Sequence, residues 1–337
     1  MKLLVTGGSG FLGRFVLAEA ARRGHSCVAL VRSDAAAAAV AALGAAPLRG
    51  DLEDAAGLPG VFAEAGCDAL VNLASLGFGH APAIVAAATA AGLDRAVFVS
   101  TTAVTTTLPA PSRAIRLAAE QEIRTSALRW TILRPTMIYG APGDRNLARL
   151  LALLARVRRS SLTGPLAARL PLPVPVPGGG GRLQQPVHVA DLAAAVLSAV
   201  ERPAVAGQCY DVAGPEPLTF AGLLAGTGAA VGVRIRLVPL PLAPVISLTR
   251  VYERISRRPR IRAEQWQRLA EDKTFPIDDA VRDLSYAPRS FAAGIEAEAA
   301  ALGLSRTPPA AVPPATAVQI PAPPGPASPT LTRRSHA

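Results

Sequence analysis

Lys2-Leu3-Leu4-Val5-Thr6-Gly7-Gly8-Ser9-Gly10-Phe11-Leu12-Gly13 decides how the rest of the chain is read. An apolar run ends in glycines at positions 7, 10 and 13, and an Ala-rich stretch with helical spacing follows. Glycines there permit a tight turn and a close approach of backbone, and the helix that follows offers unpaired N–H groups and the positive end of its dipole to a diphosphate. A turn that merely joins strand to helix is the plainer alternative, but the strand–turn–helix setting favours the anion site. Gly7, Gly10, Phe11, Leu12 and Gly13 are therefore the first candidates for binding a dinucleotide. The apolar run itself is too short for the core of a secretory signal.

Outward from this loop, short β-branched runs alternate with Ala-rich helical stretches as far as residue 134, the pattern of parallel strands joined by crossover helices. Candidate strands are Lys2 to Thr6, Ser26 to Arg32, Ala46 to Arg49, Ala69 to Leu73, Ala96 to Ser100 and Thr131 to Arg134, six strands for a doubly wound sheet over residues 1–145. After Gly140 the texture changes. A helix-like stretch, Asn146 to Arg159, runs into Pro- and Gly-rich sequence between Pro171 and Gly181, which continues neither a helix nor a central strand. A smaller C-terminal substrate lobe, interleaved with the main domain, is expected over 146–303. Inside it Val187 to Val200 reads as a helix, Gln208 to Val212 as a strand, and Thr219 as a helix cap, with Val233 to Val238 as a possible further strand. From Ser305 the chain holds nine prolines, no acid and no apolar period, so 304–337 reads as a disordered tail.

Composition narrows the function. Half of the 337 residues are hydrophobic, so a sizeable core is expected. The net charge of +11 comes from 35 basic residues of which only Lys2 and Lys273 are lysine, and biased composition accounts for it better than a polyanion surface. Aromatic residues, at 4%, are too few for base-stacking platforms, which argues against nucleic acid as a partner. Cys27, Cys67 and Cys209 stand far apart without a CxxC pair or nearby histidines, giving no metal-site pattern and fitting a reducing compartment. No run reaches the ~18 apolar residues of a membrane span; a cytoplasmic protein is expected. The Pro-broken apolar stretch after Leu237 leads into Arg250, Arg254, Arg257, Arg258, Arg260 and Arg262. Residues 237–262 thus admit two readings: a core-packed helix with a solvated basic end, or a weak peripheral contact with an anionic membrane.

The second strand ends in Leu30-Val31-Arg32-Ser33, where an NAD site would place a carboxylate on the ribose 2′-OH. Arg32 is suited instead to a 2′-phosphate, with Ser33 adding a hydroxyl, so NADP(H) is favoured over NAD(H). Asp34, one residue on, keeps NAD open.

Further motifs are Gly50-Asp51-Leu52 after the third strand, Ser100-Thr101-Thr102 after the fifth, Leu133-Arg134-Pro135-Thr136-Met137-Ile138-Tyr139-Gly140, and Pro186-Val187-His188-Val189-Ala190-Asp191. With the Gly loop, they resemble the NAD-dependent epimerase/dehydratase group of the extended, atypical short-chain dehydrogenase/reductase superfamily over most of residues 1–303. The resemblance implies a Rossmann-type α/β fold. It also implies that Asp51 and Leu52 flank the adenine, that Leu73, Ala74 and Ser75 line the cofactor after the fourth strand, and that Pro135 and Thr136 border the nicotinamide. His188 and Asp191 are expected to fix the start of a helix rather than touch substrate.

Family chemistry needs a Tyr and a Lys four residues apart on one helix face. By the resemblance, Ser112 stands where that Tyr is expected and Arg116 where the Lys is. The tyrosines are Tyr139, Tyr210, Tyr252 and Tyr286, none of them in register. A serine hydroxyl is a far weaker acid than a phenol, and Arg does not deprotonate, so the usual relay cannot run unchanged. Thr102 takes the place of the family's active-site Ser or Thr, which makes Thr102, Ser112 and Arg116 the catalytic candidates. Two functions follow. One is an oxidoreductase, epimerase or dehydratase acting on a nucleotide sugar or related small molecule; the other is a non-catalytic NADP(H)-binding accessory or sensor protein.

Overall fold

The computed structural model describes residues 1–107, 112–160, 164, 169–256 and 271–305. Almost all of the expected tail, and Arg257, Arg258, Arg260 and Arg262 of the basic stretch, lie outside the described residues. The chain opens with β1 (Lys2–Thr6), α1 (Phe11–Arg22), β2 (Ser26–Val31), α2 (Asp34–Ala41), β3 (Ala46–Arg49), α3 (Leu58–Ala65), β4 (Ala69–Asn72), α4 (Ala81–Ala90), β5 (Arg95–Val99), α5 (Arg113–Thr125) and β6 (Arg129–Pro135). It continues through β7 (Ile138–Tyr139), α6 (Leu147–Arg159), β8 (Leu172–Pro177), β9 (Leu183–Gln184), β10 (Val187–His188), α7 (Val189–Glu201) and β11 (Gln208–Val212). The last elements are β12 (Leu218–Thr219), α8 (Phe220–Ala230), β13 (Ile235–Leu240), α9 (Leu242–Ile255), α10 (Asp278–Leu284) and α11 (Phe291–Ala301).

Seven parallel strands form one sheet in the order β11-β6-β5-β4-β1-β2-β3. Strand order reverses between β1 and β4, the crevice where ligands bind in doubly wound sheets. The fold is a Rossmann-type sheet flanked by helices. Central strands such as Leu3-Leu4-Val5 are buried on both faces, which is why they read as continuous apolar runs rather than alternating ones. On one face Leu12, Val16, Leu17 and Ala20 of α1 pack with Leu192, Val196 and Val200 of α7. Phe62, Ile84, Ala88 and Ile123, from α3, α4 and α5, cover the other.

The six expected strands are present, and a seventh joins them. Gln208–Val212, read from sequence as part of the lobe, pairs with Thr131 to Pro135 along the sheet edge, and α7 likewise packs on the main body. Arg23 and His25 bind them together: both reach Glu201, at 2.8 and 2.7 Å. Sequence period shows that a segment is a strand, not which sheet takes it up. The lobe proper has its own core, with Tyr139, Leu151, Leu154, Leu223, Val233, Phe291 and Ile295. Its Pro-rich β8 survives as a strand because it pairs on one side only, with β13. The apolar stretch beyond Leu237 ends β13 and forms α9, which turns Leu248, Val251, Tyr252 and Ile255 outward while Thr249 is buried.

Within the lobe, α11 buries the Glu298 carboxyl, 1% exposed, near Asp144. Asp144 is itself occupied in capping α6, accepting from the amides of Asn146 and Ala148. Burial, followed by the charge of Asp144, pushes the Glu298 pKa up to about 8. The folded protein therefore holds a proton that the unfolded chain releases from about pH 4.5, and stability falls as pH rises across the window up to about 8. Urea unfolding between pH 5 and 8 is expected to show a slope approaching about 1.4 kcal/mol per pH unit from this group. Glu298→Gln is expected to flatten it and to stabilise the protein at pH 8.

Candidate active site

The Gly loop joins β1 to α1 with Gly7 at φ +73°, a conformation that L side chains avoid. The helix then lies against the loop so tightly that a Cβ on Gly13 would sit 2.3 Å from the Gly7 carbonyl and 2.4 Å from that of Gly8. A Cβ on Gly7 would meet the backbone of Leu73 and Ala74 at 3.0 Å. Gly10 caps α1 without any side-chain hydrogen bond, and the first turn carries no acid. The opening amides of α1 are thus presented to an anion, with nothing negative among them. The residues fit a dinucleotide diphosphate: the space that side chains would fill is kept as bare backbone. Phe11 begins α1, whereas the Leu12 side chain turns into the core, so Leu12 has only its backbone to offer.

A cavity of about 560 Å³ extends from this loop over the carboxyl ends of β2 and β4. It brings together Gly7, Arg32, Ser33, Asp51, Leu52, Ala74 and Ser75 from the sequence reading. Ser33 also caps α2, its Oγ accepting from the Ala36 amide at 3.3 Å. Asp51 accepts from the Glu53 amide at 3.1 Å, and Ser75 from the Gly77 amide at 3.2 Å. Arg32 is exposed at the rim, while Asp34, 97% exposed, pairs with Arg49. Leu73 sits one residue behind the wall, with its amide donating to the Thr6 carbonyl.

A second cavity, about 520 Å³, holds Thr102, Ser112, Arg116 and Thr136. Ser112 is the residue before α5 and Arg116 lies one turn in, so both project to the same side; the guanidinium donates to Ser112 Oγ. Arg116 also lies flat along Gly77, where a Cβ would come within 3.2 Å of the guanidinium. Thr102 donates to the Pro135 carbonyl at 3.3 Å and Thr136 donates to that of Gln185. Pro135 lies behind the cavity wall, its carbonyl taken by Thr102. No tyrosine lines either cavity. Tyr139 packs between His188 and Phe291 in the lobe core, and burial pushes its pKa well up. His188 accepts from the Ala190 amide at the start of α7, and Asp191 pairs with Arg289.

The far wall of this cavity was invisible in the sequence. Residues 271–275 form a strap between the loop after β5 and the β9 strand. Glu271 accepts from Thr106 Oγ1 at 2.6 Å and from the amide and hydroxyl of Thr107, each at 3.0 Å. Asp272 accepts from the Leu183 amide at 2.8 Å and from Arg182 at 3.2 Å. Lys273 donates its amide to the Leu183 carbonyl and Phe275 donates its own to Gln185 Oε1. Burial acts to raise the Glu271 pKa, but the hydrogen bonds from Thr106 and Thr107 prevail and hold it below the usual range. The Leu183 amide, with Arg182, does the same for Asp272. One signal was present: in a chain that spends nearly all its basic positions on arginine, Lys273 is one of two lysines.

Comparison with known proteins accords with this geometry. The family model described as NAD(P)H-binding matches residues 7–153. A 4-hydroxy-2-methyl-3-oxo-4-farnesyl-3,4-dihydroquinoline-1-oxide ketoreductase of Stigmatella aurantiaca is 29% identical over 86% of this chain and 92% of its own. A 2-alkyl-3-oxoalkanoate reductase of Stenotrophomonas maltophilia is also 29% identical, over 86% of this chain and 95% of its own. Among solved structures, a UDP-glucose-4-epimerase of Stenotrophomonas maltophila with bound NAD superposes with a TM-score of 0.66, at 19% identity, over 88% of this chain and 96% of that one. Residues 7–153 thus match an NAD(P)H-binding model, and over most of its length the chain is similar to the two reductases.

Gly13→Ala tests the cradle. The added Cβ meets backbone oxygens that have no alternative rotamer, so α1 has to move off the loop. Fluorescence titration with NADPH is expected to show at least about tenfold weaker binding, and urea unfolding a loss of about 1–3 kcal/mol.

Proposed function

We propose that this protein is an NADPH-dependent ketoreductase acting on the ketone of a small 3-oxo compound that carries an alkyl or isoprenoid chain. The observation that carries the reading is the meeting of Thr102, Ser112 and Arg116 in one cavity, with Arg116 lying against Gly77, between Ser75 and Phe78 of the loop-side cavity. The two relatives that match most of the chain are both reductases of 3-oxo compounds. Nucleotide-sugar epimerases share the fold at 16–20% identity, too distant to carry a substrate across.

When bound, the reduced nicotinamide supplies a hydride. The Ser112 hydroxyl donates to the substrate carbonyl oxygen, and Thr102, whose own hydrogen goes to the Pro135 carbonyl, borders it. Because Arg116 donates to Ser112 Oγ, the serine's own hydrogen is left for the substrate. The guanidinium cannot give up a proton, so its part is electrostatic: a fixed positive charge beside the oxygen on which negative charge develops. The relay of phenol and ammonium is thus replaced by a hydroxyl polarised by a permanent cation: Ser112 Oγ–H gives its proton to the oxygen as the hydride adds to the carbonyl carbon, and recovers one from solvent water. NADP(H) is the cofactor in this reading. Arg32 stands at the rim of the adenine-side cavity, and the rival carboxylate, Asp34, is paired with Arg49.

The experiment is NADPH oxidation with a panel of 2-alkyl-3-oxoacyl and isoprenoid ketone substrates. Ser112→Ala and Arg116→Ala are each expected to lower kcat/KM about 10- to 100-fold while leaving NADPH affinity within about twofold. Arg32→Ala is expected to weaken NADPH about tenfold and NADH hardly at all. Tight NADPH binding without oxidation by any of the panel would defeat the enzyme reading in favour of a non-catalytic cofactor-binding protein.

A further inference from the structure

The helix α9 is scarcely part of any core. Of its 14 residues only Thr249 is buried, its hydroxyl donating to the Val245 carbonyl one turn back at 2.7 Å. A helix in water owes most of its stability to the apolar face it packs away, and here that face is turned out. Leu248, Val251 and Ile255 are 70%, 51% and 77% exposed, and their spacing of three and four residues sets them in one stripe. Apolar exposure begins before the helix, at Val238 and Leu240 of β13. Arg250 and Arg254, four residues apart, run along the flank of the stripe. Both are exposed, and neither has a hydrogen bond or ion pair among the described residues. Charge on the segment is one-sided: from residue 242 to 262 the sequence holds six arginines and a single acid, the half-buried Glu253. A second copy of this chain fits such a face poorly, because a two-fold axis through the stripe lays the arginine row of one helix along that of its partner.

We propose that α9 docks on an anionic phospholipid surface, lying in the plane of the interface with Leu248, Val251 and Ile255 set among the acyl chains and Arg250 and Arg254 reaching the headgroups. Such a surface supplies both halves of the match: hydrocarbon for the stripe, and negative charge for the row beside it. Three side chains insert little hydrocarbon, so the attraction of the arginines is needed for the contact to hold, and neutral lipid does not suffice. Of the two readings that the sequence leaves for residues 237–262, the outward face selects the peripheral one. The contact lies on the surface and does not span, since no helix among the described residues is long and apolar enough to cross a membrane. It is independent of the ketoreductase reading and holds equally for a protein that binds the cofactor without turnover.

The test is co-sedimentation of the full chain with vesicles of phosphatidylcholine containing phosphatidylserine, and with vesicles of phosphatidylcholine alone. Saturable pelleting is expected with the anionic vesicles, at least about tenfold tighter than with the neutral ones. At ~0.5 M salt, where screening shortens the reach of the charges, it is expected to weaken by about tenfold. Arg250→Gln combined with Arg254→Gln is expected to weaken pelleting about 25-fold, roughly fivefold for each charge. Leu248→Ser combined with Ile255→Ser is expected to weaken it by at least about tenfold. All four side chains are exposed, so NADPH affinity and the urea midpoint are expected to match those of the parent chain, which separates lost docking from lost folding. Absence of pelleting with phosphatidylserine, equal pelleting on the neutral vesicles, or unchanged pelleting of either double variant overturns the proposal. So does a dimer, seen by sedimentation velocity without lipid, that the Leu248→Ser, Ile255→Ser variant dissociates: the stripe then belongs to a second copy.

Discussion

The contact of Gly13 with the carbonyls of Gly7 and Gly8 governs the site. It brings the first turn of α1 down onto the loop, so that the amides Gly10 leaves uncapped open onto the crevice at which the strand order reverses. Any side chain at position 13 would lift the helix, and the other partners are arranged around its present position. Leu12, Val16 and Leu17 fix the buried side of α1 against the sheet, and Arg23 and His25 tie its far end to Glu201 of α7. The helix is held at both ends while its opening amides stay bare.

Much of this was legible in the residues. The six main strands and the Gly loop declare themselves through apolar runs ending in turn residues, because buried parallel strands need no alternation. The nucleotide-side candidates Arg32, Ser33, Asp51 and Ser75 share a cavity because each follows the carboxyl end of a strand, and neighbouring strands end together. What stayed hidden was non-local. Whether Gln208–Val212 belongs to lobe or sheet depends on a pairing with Thr131 to Pro135 that no local pattern carries. The strap was hidden for the same reason: Glu271 meets Thr106 and Thr107 across more than 160 residues of chain.

In the proposed reading, Ser112 and Arg116 stand in for a Tyr–Lys pair, which changes what the site can do with protons. A phenol beside an ammonium shares a proton between two titratable groups. Here a hydroxyl sits beside a cation that does not titrate, and the Tyr139 phenol, buried among His188 and Phe291, is out of reach. Under the proposed ketoreductase reading, that pair favours stabilisation of charge on a ketone oxygen over deprotonation of an alcohol.

The strap is moored on both flanks by carboxylates, Glu271 to the threonine loop and Asp272 to β9. Because both carboxyls are held below the usual carboxylate range by these hydrogen bonds, neutral solution does not loosen the moorings by protonation. The wall they tether to the threonine loop and to β9 is thus held alike on either side of neutrality.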